Sequence, residues 1–311
     1  MAYHHTPVLL QEVIRGLNPQ PGQHFVDGTV GGGGHAWALL EATAPDGRLV
    51  AFDRDAAALA SAQRKLEPFS HRLTFIHDSY SQLATYVRRA NLPRLDGVLL
   101  DLGLSSAQLA DSTRGFSFQS AGALDLRFDT SQGVSAAELL NTASSEELEQ
   151  IWRNLGQEPQ ARALARAIVA RRRQRPLATT GDLLEVVTMV KGSGQRRHHP
   201  ATLVWQALRL AVNHELTELA SGLKAAVEVL GEGGRLAVIS FHSGEDRLVK
   251  DFFRRESRTC LCPPELPVCR CHHQPTLKVL TTKPIIPNSA EILRNPRARS
   301  AKLRLAQKIN R

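Results

Sequence analysis

Short apolar runs alternate with helical stretches along the first third of the chain. The runs 48–53, 73–78 and 96–102 predict strands, and the stretches 56–66 and 82–90 between them predict helices. Buried strands separated by helices of ~10 residues are typical of βαβ units in a parallel sheet that is covered on both faces. This pattern therefore predicts an α/β domain.

The sequence FVDGTVGGGGH at 25–35 predicts a strand, a tight turn and the start of a helix. An apolar run ends at Asp27, glycines occupy 31–34, and AWALLEA follows with helical character. Glycine is needed where the backbone turns at positive φ or approaches a ligand closely, and the free amides of the next helix then face that ligand. A ligand site is therefore predicted at this turn.

Two classes of ligand fit the glycine turn. Gly31, Gly33 and Ala36 satisfy the dinucleotide fingerprint G-x-G-x-x-G/A, which is typical of nicotinamide and flavin enzymes. Asp27 favours the other class, because a carboxylate there repels a pyrophosphate but attracts a ligand that carries an ammonium and a sulfonium. S-adenosylmethionine is such a ligand, and we favour it over a dinucleotide and over a loop that merely turns.

Polar residues stand at the predicted carboxyl ends of the strands, where open α/β sheets bind ligands. Asp53 follows the glycine turn by ~20 residues, the spacing at which an acid reaches ribose hydroxyls. A helix N-cap is the alternative, and it fits Asp55 better. Tyr80 would cover an adenine or pack as an ordinary half-buried aromatic. Asp101 ends the fourth strand, and we expect these side chains to converge with Asp27.

The pattern changes at Leu104. The stretch 104–129 has neither a strand nor a helix period, and it predicts a long functional loop. Helical segments follow, of which the one that starts at Ser145 has the clearest N-cap, with acids in its first turn. We therefore predict an inserted all-helical domain at 107–200, between core segments 1–106 and 201–311.

The sheet is predicted to resume after the insertion. The expected elements are one long helix, a parallel strand, a helix and two β-like segments, at 201–230, 235–242, 244–256, 276–285 and 300–309. A methyl-donor fold closes its sheet with such an antiparallel pair, whereas a dinucleotide fold would continue with parallel units. The ending therefore favours the methyl-donor class.

Composition is that of a globular protein: 42% of the 311 residues are hydrophobic and 22% are charged. No apolar run approaches the ~20 residues of a membrane helix. The start, MAYHHTPVLL, lacks a basic segment, a long apolar core and a cleavage site, so we expect no secretory signal. A cytoplasmic protein without membrane contact is therefore expected.

The net charge of +9 favours a polyanionic partner, with a solvated basic surface as the alternative. Basic residues concentrate in three clusters, which suits nucleic acid better than scattered charge would. The clusters are Arg171, Arg172, Arg173 and Arg175; Lys191, Arg196, Arg197, His198 and His199; and Arg294, Arg297, Arg299, Lys302, Arg304, Lys308 and Arg311.

The cysteines form one constellation, CLCPPELPVCRC, with Cys260, Cys262, Cys269 and Cys271. Four sulfurs in paired C-x-C spacing could hold zinc, although the usual knuckle spacing is C-x-x-C. Thiols without metal are also reasonable in a reducing compartment. We therefore assign no metal ligand from the sequence.

Four stretches together resemble one family. HTPVLLQEV, DGTVGGGGH, DGVLLDLGLSS with RGFSF, and GGRLAVISFHSGEDRLVK are similar to those of the bacterial 16S ribosomal RNA cytosine-N4 methyltransferases, the MraW family. The similarity runs from His5 to the NPRARSAKLR tail. The order of DLGLSS and SFHSGEDR makes it specific.

The resemblance implies a fold, a reaction and a partner. The fold is a Rossmann-like class I S-adenosylmethionine-dependent methyltransferase, a parallel sheet with a terminal antiparallel hairpin, plus the helical insertion for RNA recognition. The reaction is methylation of a decoding-centre cytosine at N4 in 16S rRNA of the small ribosomal subunit. A homodimer stays open as a further partner.

The resemblance also implies the residues that bind the donor. These positions are Gly33, Gly34 and His35 in the glycine turn, Asp53 at the ribose, Tyr80 by the adenine, and Asp101 and Gln108 at the methionine end. Gln108 rests on the resemblance alone. The spacing of the strand ends independently indicates Asp53, Tyr80 and Asp101.

Cytosine N4 is a poor nucleophile, because its lone pair is delocalised into the ring. An enzyme must accept hydrogen bonds from the amine and align it with the methyl group and the departing sulfur. Asp101 is the first candidate acceptor, and holding the donor's ammonium group is its alternative role. His242 would take up the released proton, although a histidine packed at a strand end is the commoner case.

The chain departs from one pattern of amino methyltransferases. Many have a D/N/S-P-P-aromatic turn after the fourth strand, whereas Leu, Gly and Leu follow Asp101 here. Base stacking is therefore unassigned, with Phe116, Phe118, Phe241 and His242 as candidate surfaces. Two rival functions stay open, a dinucleotide-dependent oxidoreductase and an inactive RNA-binding ribosome-assembly factor.

Overall fold

The computed structural model describes residues 7–90, 94–192, 199–263, 265–266 and 268–310. The chain divides into two compact units. The first, the sheet unit, runs to Gly103 and resumes at Leu216; the second, the helical unit, is Leu104–Glu215.

A seven-stranded sheet forms the centre of the sheet unit. Its strands are β1 (Phe25–Asp27), β2 (Leu49–Asp53), β3 (Leu73–His77), β4 (Leu95–Asp101), β5 (Leu230–Ser240), β6 (Leu277–Val279) and β7 (Lys302–Lys308). Their order is β3-β2-β1-β4-β5-β7-β6; β7 is antiparallel to β5 and β6, and the other pairs are parallel. The predicted fold class, a parallel sheet with a terminal antiparallel hairpin, is confirmed.

The strand order reverses between β1 and β4. Such a switch point is where open α/β sheets bind ligands, because the crossovers on its two sides leave the sheet in opposite directions. Asp27 ends β1 and pairs in register with Leu99 of β4, two residues before Asp101. The topology therefore places both acids at the switch point.

Helices cover the two faces of this sheet. They are α1 (Leu10–Leu17), α2 (Gly34–Ala42), α3 (Ala56–Lys65), α4 (Leu83–Arg89), α11 (Glu215–Val229), α12 (Ser243–Glu256) and α13 (Ser289–Arg294). Consecutive strand residues point to opposite faces. Phe25 and Ala51 accordingly join one buried cluster, and Val26 and Val50 join the other.

The two ends of the sheet unit meet at α1, a helix that is not among the elements predicted above although its apolar residues have helical spacing. The Leu9 backbone N–H at the start of α1 donates to Glu291 Oε1 of α13 over 2.7 Å. This carboxylate satisfies one of the amides that a helix leaves unpaired at its first turn.

The helical unit consists of short helices around one apolar core. They are α5 (Ser106–Ala110), α6 (Ala136–Thr142), α7 (Ser145–Asn154), α8 (Ala161–Gln174), α9 (Thr180–Lys191) and α10 (Thr202–Val212). Within its described residues, β pairing is limited to a bridge between Ala123 and Thr179. The N-cap of α7 is Ser144 rather than Ser145, because the Ser144 side chain accepts the Glu147 N–H.

The long helix predicted over 201–230 is wrong, because it breaks between α10 and α11. His214 has a φ of 53°, which a continuous helix excludes. The Asn213 side chain accepts from Phe128 N and donates to Leu126 O, both over 2.7 Å. These bonds and the packing of Trp205 attach α10 to the helical unit. The second boundary therefore falls at Glu215 and not at residue 200.

None of the described helices has both the length and the apolar character needed to cross a bilayer.

Candidate active site at the carboxyl edge of the sheet

The turn between β1 and α2 is pinned to its two neighbouring strands. Gly28 N–H donates to Leu99 O over 2.8 Å, and Val30 N–H donates to Phe52 O over 2.9 Å. Gly31 and Gly33 have φ values of 50° and 73°. Glycine adopts this left-handed region without a Cβ penalty, so these positions account for part of the glycine run.

The glycines of the turn face different surroundings. A Cβ on Gly34 would overlap the Pro7 ring, and one on Gly33 would lie 3.2 Å from the Leu66 side chain. By contrast, a Cβ on Gly32 would meet nothing within 4 Å, and one on Gly31 would meet only Thr29 O, at 3.8 Å. Close packing against the N-terminal segment therefore explains why residue 34 is a glycine. A ligand could approach the backbone at Gly31 and Gly32, where the space is open.

Asp53 closes the turn from the end of β2. Its Oδ2 accepts the Gly31 N–H and its Oδ1 accepts the Asp55 N–H, each over 2.9 Å. Burial, only partly offset by these bonds, raises the pKa of Asp53 to about 6. Asp55 caps α3 by accepting the Ala57 N–H over 3.0 Å, as predicted.

Asp27 is the most deeply buried acid of this edge, with 1% of its surface exposed. The Thr29 N–H donates to its Oδ1 over 3.1 Å. Burial raises the pKa of Asp27 to about 7, and the charge of Asp53 adds to the shift. The carboxyl group therefore ionises near neutral pH and would gain from a nearby cation.

Asp101 lies at the end of β4, beside Asp27. Its backbone N–H donates to Thr29 Oγ1 over 2.7 Å, and its Oδ2 lies 3.5 Å from His35 Nδ1. Burial raises its pKa well above the usual range, and the charges of Asp27 and Glu245 raise it further. Among the described residues, Oδ1 of Asp101 is buried without a hydrogen-bond partner. A buried acceptor of this kind indicates a place for a donor group from a ligand.

His35 connects Asp101 to the N-terminal segment. Its Nε2 lies 3.0 Å from the Val8 carbonyl oxygen. Because a carbonyl only accepts, Nε2 carries a proton, and Nδ1 faces the Asp101 carboxyl group. The predicted contact of His35 with the donor stays a prediction; its contact with Asp101 is an addition that the sequence did not indicate.

His242 is the N-cap of α12. Its Nδ1 accepts the N–H groups of Gly244 and Glu245 over 3.1 and 3.4 Å, while Nε2 lies 3.1 Å from Glu245 Oε1. Nδ1 can accept only while it is unprotonated, so Nε2 bears the ring proton. Proton uptake by His242, which the sequence suggested, would require the cap to break. Glu245 completes the capping box, and sequence reasoning missed it.

Tyr80 follows β3 and packs on α11. A Cβ on Gly222 would overlap the Tyr80 ring, and one on Gly28 would lie 2.9 Å from Tyr80 Cβ. Gly222 therefore makes room for the ring at the edge of the glycine turn. The structure thus brings Tyr80 next to the turn, as the strand ends predicted.

Gln108 belongs to the helical unit. Its backbone N–H donates to Ser105 Oγ over 3.1 Å, and its Oε1 accepts the Ser105 N–H over 2.9 Å. This reciprocal capping box starts α5 and explains a glutamine at this position. Its predicted place at the methionine end stays a prediction.

Two of the aromatic rings suggested for base stacking already have ring partners. Phe116 is buried and stacks on Phe128, with ring centroids 5.7 Å apart. Phe118 stacks on His199 with centroids 4.6 Å apart. Phe241 is partly buried, and its ring lies close to Gly103. Phe116 is therefore a core residue, not a platform for a base.

The basic clusters are only partly available to a polyanion. Lys191 forms a buried ion pair with Glu158, and Arg172 donates to the carbonyls of Leu140 and Ala143, each over 2.7 Å. Lys302 and Arg304 bind Asp246 over 3.1 and 2.7 Å. The exposed members of these clusters are Arg173, Arg175, His199, Arg294, Arg297 and Arg299. Arg196, Arg197, His198 and Arg311 lie outside the described residues.

This edge of the sheet unit suits a cationic ligand. Asp27, Asp53 and Asp101 are brought together there, and each has a pKa raised by burial. A positive charge close to them would favour their ionised forms, whereas a pyrophosphate would be repelled. The residues present therefore fit S-adenosylmethionine better than a dinucleotide.

Comparison with known proteins agrees with this chemistry. The sequence profile of the MraW methylase family matches residues 2–309. Ribosomal RNA small subunit methyltransferase H of Thermomicrobium roseum is 52% identical over 98% of this chain and 94% of that protein. The proteins of the same name from Syntrophotalea carbinolica and Heliobacterium modesticaldum are 50% and 45% identical, each over 99% of this chain and over 98% and 100% of their own lengths. The chain belongs to the MraW methylase family.

Proposed function

We propose that this protein transfers the methyl group of S-adenosylmethionine to the N4 amine of a decoding-centre cytosine in 16S ribosomal RNA. Its relatives are named ribosomal RNA small subunit methyltransferase H, which supports the rRNA substrate. The observation that carries the proposal is the group of acids at this edge of the sheet, the buried Asp27 and the half-buried Asp53 and Asp101, each with a pKa raised above its ordinary value.

The acids would hold the donor by its charges. Asp53, at the end of β2, would accept from the ribose, and Asp27 and Asp101 would face the ammonium and the sulfonium. Ionised carboxylates in a buried site interact strongly with a cation, because little water screens them. Tyr80 would lie along the adenine, with its ring held in place by Gly222.

The dinucleotide alternative is disfavoured by the same turn. Phosphates at glycine turns bind free backbone N–H groups. Here the Gly31 N–H is donated to the Asp53 carboxylate, 2.9 Å away. A pyrophosphate would have to displace a carboxylate and then lie next to its charge.

Asp101 is proposed as the acceptor for the target amine. Its buried Oδ1, which has no partner among the described residues, could accept an N4–H and so concentrate electron density on nitrogen. The methyl carbon exchanges its bond to sulfur for a bond to N4, and Asp101 takes the proton that N4 releases. A carboxyl group whose pKa is raised suits that step. His35 would keep Asp101 in place from its Oδ2 side.

RNA binding is proposed for the helical unit and for the exposed arginines before β7. Arg173 and Arg175 end α8, and Arg294, Arg297 and Arg299 precede β7. Their guanidinium groups are suited to phosphate oxygens.

Methyl transfer to small ribosomal subunits tests the proposal. Subunits from cells that lack this protein would be incubated with labelled S-adenosylmethionine, and the rRNA digested to nucleosides. We expect label in N4-methylcytidine, and we expect Asp101→Asn to abolish it. Tight binding of S-adenosylhomocysteine without any label in RNA would instead identify an assembly factor, and binding of NADH would identify an oxidoreductase.

A single-turnover experiment separates the two roles of Asp101. If Asp101→Ala loses donor affinity but reacts at the normal rate with saturating donor, Asp101 holds the ammonium group only. If the rate falls at saturating donor, the acceptor role stands.

A further inference from the structure

A cluster of four thiols lies in the sheet unit, in the connection between α12 and β6. The Sγ atoms of Cys260, Cys262, Cys269 and Cys271 all lie within 4.8 Å of one another. Cys260 and Cys269 are 3.4 Å apart, Cys269 and Cys271 3.6 Å, and Cys260 and Cys271 3.8 Å. None of these residues takes part in the proposed methyl transfer.

These distances match the edges of a metal–thiolate tetrahedron. Zinc binds cysteine sulfur at ~2.3 Å, which places the sulfurs of a tetrahedral site about 3.8 Å apart. Three sulfurs in mutual contact suit one shared ion, since disulfides join sulfurs only in pairs. In a multinuclear iron–sulfur cluster the cysteines bind different metal atoms, and their sulfurs would be further apart.

Backbone amides point at the sulfurs. Leu261 N–H donates to Cys271 Sγ over 3.2 Å, Cys262 N–H to Cys260 Sγ over 3.3 Å, and Arg270 N–H to Cys262 Sγ over 3.3 Å. The sulfur ligands of protein metal sites accept hydrogen bonds of this kind.

The described residues around the thiols form no apolar core of their own. No described residue between 257 and 275 is buried, and Val268 is 68% exposed. The ends of the segment are held together, because Thr276 N–H donates to Glu256 O over 2.8 Å. A connecting segment whose described residues bury no apolar side chain needs another source of stability. In small structures a bound metal often supplies that stability.

The charges of the segment also suit a bound metal. Four thiolates and one divalent ion carry a net charge of −2 by simple addition. Arg258 and Arg270 lie in the same segment, against a single acid, Glu265. Two cations nearby reduce the cost of concentrating thiolates in a small volume.

We propose that Cys260, Cys262, Cys269 and Cys271 bind one structural zinc ion that fixes the segment 257–275 between α12 and β6. The C-x-C spacing departs from the usual knuckle, but the fold closes the tetrahedron by bringing two such pairs face to face. The site is structural, since all four ligands come from the protein and no position is open for a substrate.

Metal content of the full-length chain, purified under reducing conditions, tests this site. We expect about one zinc ion per chain by elemental mass spectrometry. Replacement by Co²⁺ should give the visible spectrum of a tetrahedral thiolate complex. The double variant Cys269→Ser, Cys271→Ser should lose the metal, and the matched control Val268→Ser, in the same segment, should keep it.

A second measurement needs no variant. Chelation of the unaltered protein should expose Arg258 and Arg270 to trypsin and release four titratable thiols, and added Zn²⁺ should restore protection. Metal-free protein with four free thiols and unchanged cleavage would overturn the proposal. So would two disulfides, or iron in place of zinc. Methyl transfer is not a readout, so this proposal can fail independently of the proposed function.

Discussion

At the scale of single residues, the acid at the end of β1 opposes folding. Burial raises the pKa of Asp27 from its ordinary 3.8 to about 7. Between these pH values, the folded protein binds a proton that the unfolded chain does not bind. The free energy of unfolding therefore falls as pH rises through this window. A charge kept at such a cost is typical of a site that binds a partner of opposite charge.

Asp27→Asn should separate stability from ligand binding. Without ligand at pH 8, we expect a gain in the free energy of unfolding on the order of 2–4 kcal/mol, and little change at pH 4, because the native carboxyl is then protonated. Urea denaturation at the two pH values measures this. S-adenosylhomocysteine binding should be lost.

The control is Asp55→Asn, which keeps its helix cap. Equal stability of Asp27→Asn and the native protein at pH 8 would contradict the expectation.

Donor binding should release protons near neutral pH. A cation bound against Asp27 and Asp101 lowers their raised pKa values, that of Asp27 from about 7, and it also lowers the pKa of nearby Asp53 from about 6, so these acids ionise on binding. Affinity should therefore fall as pH drops from 7.5 to about 5.5, by up to roughly tenfold per unit for each proton released. Calorimetry at pH 6.5 in two buffers of different ionisation enthalpy measures the protons. Equal heats in both buffers would mean that the acids do not face the ligand.

Two variants of His242 distinguish its role as a helix N-cap from a role as an acid–base group. Asparagine is a good N-cap but does not titrate, so His242→Asn should keep most of the activity if the ring acts only through Gly244 and Glu245. His242→Ala should lower the free energy of unfolding by about 1 kcal/mol. The rate of methyl transfer, measured from pH 6 to 9, distinguishes the two roles. If both variants lose the rate and one limb of the pH profile disappears, His242 accepts the proton.

At the scale of secondary-structure elements, the sequence predicted what depends on local pattern. Apolar runs predicted β2, β3, β4 and the antiparallel end of the sheet. In β2 and β4 burial on both faces leaves a continuous hydrophobic signal, whereas the edge strand β3 has no fully buried residue. The break at Asn213 was missed, because it depends on bonds to Leu126 and Phe128, which are distant in sequence. The helix α1 was also missed, although its apolar residues Leu10, Val13, Ile14 and Leu17 have helical spacing and its signal was therefore present in the sequence.

The candidate site was predictable to a similar extent. Asp27, Asp53 and Asp101 could be found because strand ends in a parallel sheet share one edge. The contact of His35 with Asp101 and the bonds of Thr29 could not, because they join segments that are distant in sequence and leave no periodic pattern. The assignment of Gly34 to the donor stays a prediction, and its close packing against Pro7 is an addition that the sequence did not indicate.

The contact between α11 and Tyr80 gives a prediction at this scale. Gly222→Ala improves helix propensity by up to ~1 kcal/mol, but the new methyl group would overlap the Tyr80 ring. We therefore expect net destabilisation and weaker S-adenosylhomocysteine binding, measured by thermal unfolding and calorimetry. Gly181→Ala in α9, whose Cβ would meet only Thr179 Oγ1 at 3.6 Å, is the matched control and should be neutral or stabilising. Unchanged affinity in Gly222→Ala would remove Tyr80 from the donor site.

At the scale of the whole molecule, the net charge of +9 indicated a polyanionic partner but not its binding surface. Sequence clusters count every Lys and Arg alike. In the structure, Lys191 forms a buried ion pair with Glu158, and Lys302 and Arg304 form ion pairs with Asp246. The charges of Lys302 and Arg304 therefore support the fold, and their removal would confound any test of RNA binding. Arg297 and Arg299 are exposed and avoid this problem.

The double variant Arg297→Ala, Arg299→Ala should weaken RNA binding without changing donor affinity. Removal of one arginine that binds a phosphate reduces the slope of log K against log salt by about 0.7–0.9, so we expect a reduction of about 1.4–1.8 if both arginines bind phosphate. Filter binding of 16S rRNA across a salt series measures the slope. Arg64→Ala, Lys65→Ala removes the same charge from the exposed end of α3, outside the three clusters. Because the two variants have equal net charge, equal slopes in both would show that total charge, and not this surface, attracts the RNA.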